Sequence, residues 1–368
     1  MSKPPNKSNK STESSESDRI FRNDAENLRQ HFDRDGRFEF LGIVDRGGFG
    51  VAVRVRYTKP KPGVSSNFIV KRALDEGSEQ RALIKEAEIL DSLKGAMHIV
   101  QPVEIDNNPL LNPPTKDLPE IKGTWSIVEY LENGTLASFI EKAGKHKNRL
   151  PNRLLWRFLL CLTKALVALT YPHYLNPNAN PILQEQIPAN PTRGNPIAHR
   201  DLHDANIMIG DVLLDAEHTI TPQLKVIDFD DADKIEPGNP APHLGDIGEV
   251  GDTMVRLITL GGFRFWEPKD HTSYQPRSGP PFQTRAIQLT PEGIVYSQTR
   301  WLDPDMRDLV CRMCGWEDAT LPTLDHLDRF VTDAVHQRDA AYYGDVAIEQ
   351  DENVKQLWHD IVYKASAT

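Results

Sequence analysis

His199-Arg200-Asp201-Leu202-His203-Asp204-Ala205-Asn206 runs directly into the apolar triplet Ile207-Met208-Ile209. A polar surface loop accounts for the first eight residues but not for the buried strand that follows at once. A carboxylate and an amide held at the mouth of a core strand suit chemistry. Asp201 can orient an attacking hydroxyl as a general base, and the amide oxygen of Asn206 can ligate a hard cation such as Mg²⁺. Upstream, residues 172–196 are packed with Pro and Asn and read as a loop, and Leu154–Leu169 carries the strongest helical pattern of the chain.

Working outward, a second short strand, Leu224–Ile227, ends in Asp228-Phe229-Asp230. An aspartate at a strand end is a natural cation ligand, although taken alone it is more often a turn. Toward the N-terminus, two strands around Phe38–Ile43 and Val51–Val55 flank Gly47-Gly48-Phe49-Gly50. Such glycines let backbone N–H groups approach phosphate oxygens, but an ordinary glycine hairpin reads the same way and is commoner. The apolar strand Phe68–Val70 ends in Lys71, and the following helical pattern, Glu79–Leu93, puts Leu83, Glu86, Leu90 and Leu93 on one face. Lys71 and Glu86 are either two solvated charges or a pair. The apolar strand favours the pair, because a buried ammonium needs a partner. Strands are expected around Ile99–Glu104 and Thr124–Glu129, with a Pro-rich insertion between them. Helices are expected over Asp246–Leu260 and Pro304–Met313, and from Leu324 to Ala334 and beyond.

Composition excludes more than it selects. With 43 Lys and Arg against 53 Asp and Glu in 368 residues, there is no overall basic field to favour nucleic acid or an anionic membrane. Three cysteines, Cys161, Cys311 and Cys314, are too few for a disulfide framework and fit a reducing compartment. Cys311 and Cys314 form a C-x-x-C with no second pair beside it, and read as two thiols on a helix. The start, MSKPPNKSNKSTESSESD, has no apolar signal core and reads as disordered, with Ile20, Phe21, Leu28 and Phe32 hinting at a short helix after it. Arg157 and Lys164 interrupt the longest apolar stretch, so it reads as a buried helix and not a membrane span. These features predict a cytoplasmic or nuclear protein.

The four motifs, in this order, resemble those of the eukaryotic protein kinase superfamily over about Phe38–Ala334: glycine-rich loop, strand Lys, helix Glu, H-R-D-L-x-x-x-N and D-F-G. Trp125–Leu131 is similar to the hinge that holds adenine, with Val128 as gatekeeper. Asp246-Ile247-Gly248-Glu249-Val250-Gly251 is similar to the start of the large lobe's buried helix. Leu90, His199 and Phe229 match the family's stacked spine. The resemblance implies an α+β fold with a small β-rich N-lobe carrying one main helix (37–130) and a larger, mainly helical C-lobe (131–345). A disordered or extended tail (1–36) and a C-terminal helical extension (346–368) flank them. It implies ATP and Mg²⁺ as cofactors. Asp201 is then the catalytic base, with Lys71, Glu86 and His203 as further catalytic residues, and Asn206 and Asp228 hold the metal. Gly47, Gly48, Phe49, Gly50, Ala52, Ile69, Lys71, Val128, Glu129, Leu131 and Met208 form the ATP site.

The chain departs from the family at several positions. Asp45 stands for the first loop glycine, and Ala52 and Ile69 exchange the usual large and small residues of the adenine roof. His203 stands for a lysine, which makes its phosphate contact weaker and pH-sensitive, and Asp230 stands for the D-F-G glycine. Only Asp231–Gly245 separates Asp230 from Asp246, without Ser, Thr or Tyr and without A-P-E. Loop phosphorylation is therefore not expected, and Arg200 lacks its usual phosphate partner. The leading expectation is an ATP- and Mg²⁺-dependent phosphotransferase, most similar to protein serine/threonine kinases, with its phosphoacceptor open. A small-molecule phosphotransferase of the aminoglycoside or choline type, favoured by the short segment after Asp230, and a catalytically silent binding scaffold are the alternatives. The aromatic-basic run Gly262–Trp266 reads as core packing or a partner contact.

Overall fold

The computed structural model describes residues 9–47, 50–58, 66–73, 77–105, 124–146, 149–176, 185–190, 195–236, 243–261 and 270–364. It is a mixed α+β structure that divides into two compact units. One holds Met1–Asp91 and Gln101–Tyr130, the other Ser92–Val100 and Leu131–Thr368.

The first unit contains α1 (Asn9–Arg34), β1 (Phe38–Gly47), β2 (Gly50–Tyr57), β3 (Asn67–Arg72), α2 (Ser78–Ser92) and β4 (Trp125–Glu129). Its four strands pair antiparallel in chain order. Strict alternation in β2 and β3 sends Val51, Val53, Val55, Phe68 and Val70 to one face, where all are buried. Leu28 and Phe32 of α1 are fully buried in the same cluster, with the Phe32 and Phe38 rings edge to face at 5.4 Å. Within the segment 1–36 expected as a disordered or extended tail with a short helix hinted at by Ile20, Phe21, Leu28 and Phe32, Asn9–Arg34 is helical, and residues 1–8 lie outside the described residues. The Ser-rich composition gives the segment little intrinsic order. Ala25, Leu28 and Phe32, however, fall on one helical face, and burying that face on the sheet stabilises the helix through tertiary contact.

The expected strand at Ile99–Glu104 is reduced to two isolated bridges, Ile99 with Val226 and Pro102 with Val128. The chain passes from one unit to the other at Val100–Gln101, so the two bridges belong to different partners. Pro102 also has no N–H with which to extend a ladder. The Pro-rich insertion before Thr124 and the run Gly262–Trp266 lie outside the described residues.

The second unit is assembled around α4 (Asn152–Thr170), of which every residue but Arg157 is buried, the Lys164 ammonium being paired with Asp328 at 2.8 Å. Before it comes α3 (Leu136–His146). After it come β5 (Ile197–Ala198), β6 (Ile207–Ile209), β7 (Leu224–Val226), β8 (Asp233–Lys234) and α5 (Leu244–Thr259), then β9 (Thr272–Tyr274), β10 (Phe282–Thr284), α6 (Pro304–Met313), α7 (Leu324–Gln337) and α8 (Asp351–His359). Two-stranded antiparallel ladders join β5 to β8, β6 to β7, and β9 to β10. Gly251 lets α5 approach the end of α6: a Cβ there would lie 2.8 Å from Cys314 Sγ and 2.9 Å from Met313 Cβ. The C-terminal segment docks on this unit. Trp358 donates to the Ile220 carbonyl at 3.1 Å, and Tyr363 donates to Asn133 Oδ1 at 2.6 Å.

Candidate functional site

Within the first unit, directly paired residues share a face of the sheet, so Ala52, Lys71 and Ser126 point the same way, as do Ile69 and Val128. This is the face opposite the α1 cluster. Lys71 Nζ donates to Glu86 Oε1 at 2.6 Å, with Glu86 buried and Lys71 about a quarter exposed. The strand end and the inner face of α2 thus hold a charge-assisted hydrogen bond. Gly50 is buried with φ of 142°, and a Cβ there would stand 1.9 Å from the Arg72 carbonyl oxygen. Packing against β3 therefore demands glycine at this position. Gly47 pairs with Gly50 at the hairpin, while Gly48 and Phe49 lie outside the described residues. In β4, Val128 is buried beside Ile69. Glu129 accepts the Gln101 N–H through Oε1 at 2.8 Å and donates its own N–H to the Gln101 carbonyl at 3.0 Å.

Within the second unit, the polar octet between β5 and β6 is a constrained loop. Asp246, at the start of α5, accepts the backbone N–H groups of His199 and Arg200 at 2.9 and 3.0 Å. The His199 ring packs edge-on to Phe229 with centroids 4.8 Å apart. Its Nε2 donates to the Ile227 carbonyl at 3.1 Å and its Nδ1 accepts the Asp201 N–H at 3.3 Å, which fixes a neutral tautomer. Burial pushes this imidazole below its ordinary titration range, in keeping with that role. Arg200 and Asp228 both adopt φ of 68°, the left-handed region that side chains with a Cβ seldom occupy.

Asn206 brings the ends of the two strands together. Its Nδ2 donates to Asp201 Oδ2 at 2.8 Å and to the Asp201 carbonyl at 2.9 Å. Its own carbonyl accepts the Ile227 N–H at 2.9 Å, one residue before Asp228. Its amide nitrogen is thus committed to Asp201. His203 caps the turn Asp204–Asn206, its Nδ1 accepting the Ala205 N–H at 3.1 Å, and its Nε2 lies 3.5 Å from Asp201 Oδ2. Met208 is bridged to Thr135 and pairs with Lys225, and Leu131 is buried in this same unit.

Three partners of this loop were not assigned to it from the sequence. Asp233 forms an ion pair with Arg200, so a carboxylate from β8 meets that guanidinium. Buried Asp204 pairs with Arg256 of α5. Glu249 accepts the Leu202 N–H at 2.7 Å, and its carboxyl is raised to about 7, first by burial, then by Asp246, Asp201 and Asp252. Each partner lies on another element, and only the i,i+3 step from Asp246 to Glu249 on α5 is visible in the sequence.

No family model matches this chain, and no curated protein does.

Proposed function

We propose that this protein is an ATP- and Mg²⁺-dependent phosphotransferase with a protein-kinase-like fold. The observation that carries the reading is the loop Asp201–Asn206. A carboxylate is held by an asparagine amide, and that asparagine's carbonyl accepts the Ile227 N–H, one residue before Asp228. Oxygen donors of this kind suit Mg²⁺, which keeps several waters and takes few protein ligands. Lys71, fixed by Glu86, supplies the cationic contact to the α and β phosphates, and Asp201 accepts the proton of the attacking hydroxyl. Mg²⁺, when bound, offsets the charge that builds on the transferring phosphoryl group.

The Arg200–Asp233 pair bears on regulation. A carboxylate already occupies the guanidinium that relatives of this fold reserve for a phosphorylated residue, so activity is expected without prior phosphorylation. The short Asp231–Gly245 segment keeps a small-molecule acceptor in view beside a protein one.

The test is Mg²⁺-dependent ATP binding and turnover, with protein and metabolite pools as acceptors. Lys71→Met should weaken ATP binding at least about tenfold. Asp201→Ala should keep binding while turnover falls about 10²- to 10⁴-fold. Tight ATP binding by the wild type with no turnover on either pool would favour the scaffold alternative, and no ATP binding would end the reading.

A further inference from the structure

Away from the loop just described, three donors meet in the interior of the second unit. His98 follows α2, Cys161 lies in the middle of α4, and His218 lies between β6 and β7. Each is 1% exposed. Their donor atoms all fall within 4.8 Å of one another. The two Nε2 atoms are 3.1 Å apart, and Cys161 Sγ is 3.5 Å from His218 Nε2.

The outer nitrogen of each ring is also held. Buried Glu185 sits against His98 Nδ1 through Oε2 and accepts the His98 backbone N–H through Oε1 at 2.9 Å. Asp215 Oδ2 lies 2.9 Å from His218 Nδ1, and its Oδ1 accepts the His218 backbone N–H at 2.7 Å. A neutral imidazole has one N–H and one lone pair. If both Nδ1–H groups donate to these carboxylates, both Nε2 atoms present lone pairs, and the two face each other beside a sulfur. Two such lone pairs in contact repel unless a common electron-pair acceptor lies between them.

We propose that His98, Cys161 and His218 ligate one transition-metal ion, with zinc the leading candidate. Tetrahedral zinc, with bonds of about 2.05 Å to nitrogen and about 2.3 Å to sulfur, holds two nitrogens about 3.3 Å apart and nitrogen and sulfur about 3.6 Å apart. The observed spacings of 3.1 and 3.5 Å are close to that pattern before any ion is added. A carboxylate on the far nitrogen of each ring is the arrangement that orients a ligating histidine and raises its basicity. One sulfur and two imidazoles select zinc or copper over Mg²⁺ and Ca²⁺, which take oxygen. This site is therefore separate in chemistry from Asn206 and Asp228, and it does not rest on the phosphotransferase reading.

Three protein ligands leave the fourth tetrahedral position to water or another small donor. The depth of burial and the three remote segments point to a structural staple. It ties Ser92–Val100 to α4 and to the β6–β7 connection, alongside the bonds from Val100 N–H to the Val226 carbonyl and from Val226 N–H to the His98 carbonyl, both 2.9 Å. The donors share no local spacing, so no sequence motif announces them. The C-x-x-C that the sequence does display, Cys311 and Cys314, is buried with both thiols pushed far up by that burial, and among the described residues it belongs to no cluster of metal-ligating side chains.

The experiment uses the full chain purified without a metal-affinity tag. Elemental analysis should find about one zinc or copper per chain. Cobalt added to demetallated protein should give thiolate-to-metal charge-transfer absorption. X-ray absorption at the metal edge of the wild type should fit one sulfur and two imidazole nitrogens. Cys161→Ser should lose the charge-transfer band and most of the metal, whereas Cys311→Ser should keep both. If Cys161→Ser does not fold, the wild-type cobalt and X-ray absorption spectra decide alone. Wild-type protein with less than about 0.1 equivalent of metal and no cobalt band would overturn the proposal, as would a metal without a sulfur ligand.

Discussion

Gly50 illustrates how one residue supports two arguments. In the sequence it belongs to a run that suits phosphate. In the structure its φ of 142° and the Arg72 carbonyl, 1.9 Å from any added Cβ, demand glycine with no ligand invoked. Gly50→Ala should therefore cost at least about 2 kcal/mol, read from urea denaturation without nucleotide. Glu249 makes the complementary point through pH. Its carboxyl is raised from 4.5 to about 7, chiefly by burial and then by neighbouring Asp246, Asp201 and Asp252. Between those two values the folded chain holds a proton that the unfolded chain has released, so protonation favours the fold. This contribution is complete below about pH 4.5 and is lost as pH rises through about 7. Glu249→Gln should flatten that part of the stability profile, measured as the difference between the wild-type and variant denaturation midpoints across the window. Equal slopes would show that Glu249 is not the group responsible.

At the level of elements, the N-terminus of α4 depends on a residue far away in sequence. Buried Glu349 accepts the N–H groups of Asn152 and Arg153 at 2.8 and 3.1 Å, and Arg153 Nη1 donates to the Glu349 carbonyl at 2.5 Å. A carboxylate at a helix N-terminus satisfies otherwise unpaired donors and complements the helix dipole. Glu349→Ala leaves those buried donors without an acceptor and should cost about 2–4 kcal/mol in denaturant unfolding. Helix α1 shows the same dependence on a distant partner. Phe32→Ala, which opens a cavity against Phe38 and the sheet, should cost about 3–5 kcal/mol. Faster amide exchange in β1 to β3 would check it.

For the molecule as a whole, what could be read in advance follows the range of the forces involved. The limits of α6, β6 and most of α2, α5 and α7 follow from local periodicity, because each buries one face and turns the other to water. Lys71 and Glu86 were legible as a pair because strand and helix follow each other closely. Asp233 on Arg200, Glu349 on α4 and the carboxylates behind His98 and His218 were not legible. Each is a polar residue with no periodic signal, and all but Asp215, three residues from His218, meet groups that only chain folding brings to them.

The sequence alone determined strands β1 to β4, β6 and β7 and helices α2 and α4 to α7 in outline, and it supplied the ordered set of chemical groups from Gly47 to Asp228. Hydrophobic patterning and motif order are properties of neighbours along the chain. Only the tertiary structure decided that α1 forms on the sheet, that the Ile99–Glu104 strand is divided between two units, and that His98, Cys161 and His218 converge. Those outcomes depend on burial and pairing between residues that the chain keeps far apart, and such contacts exist only after the backbone has closed around them.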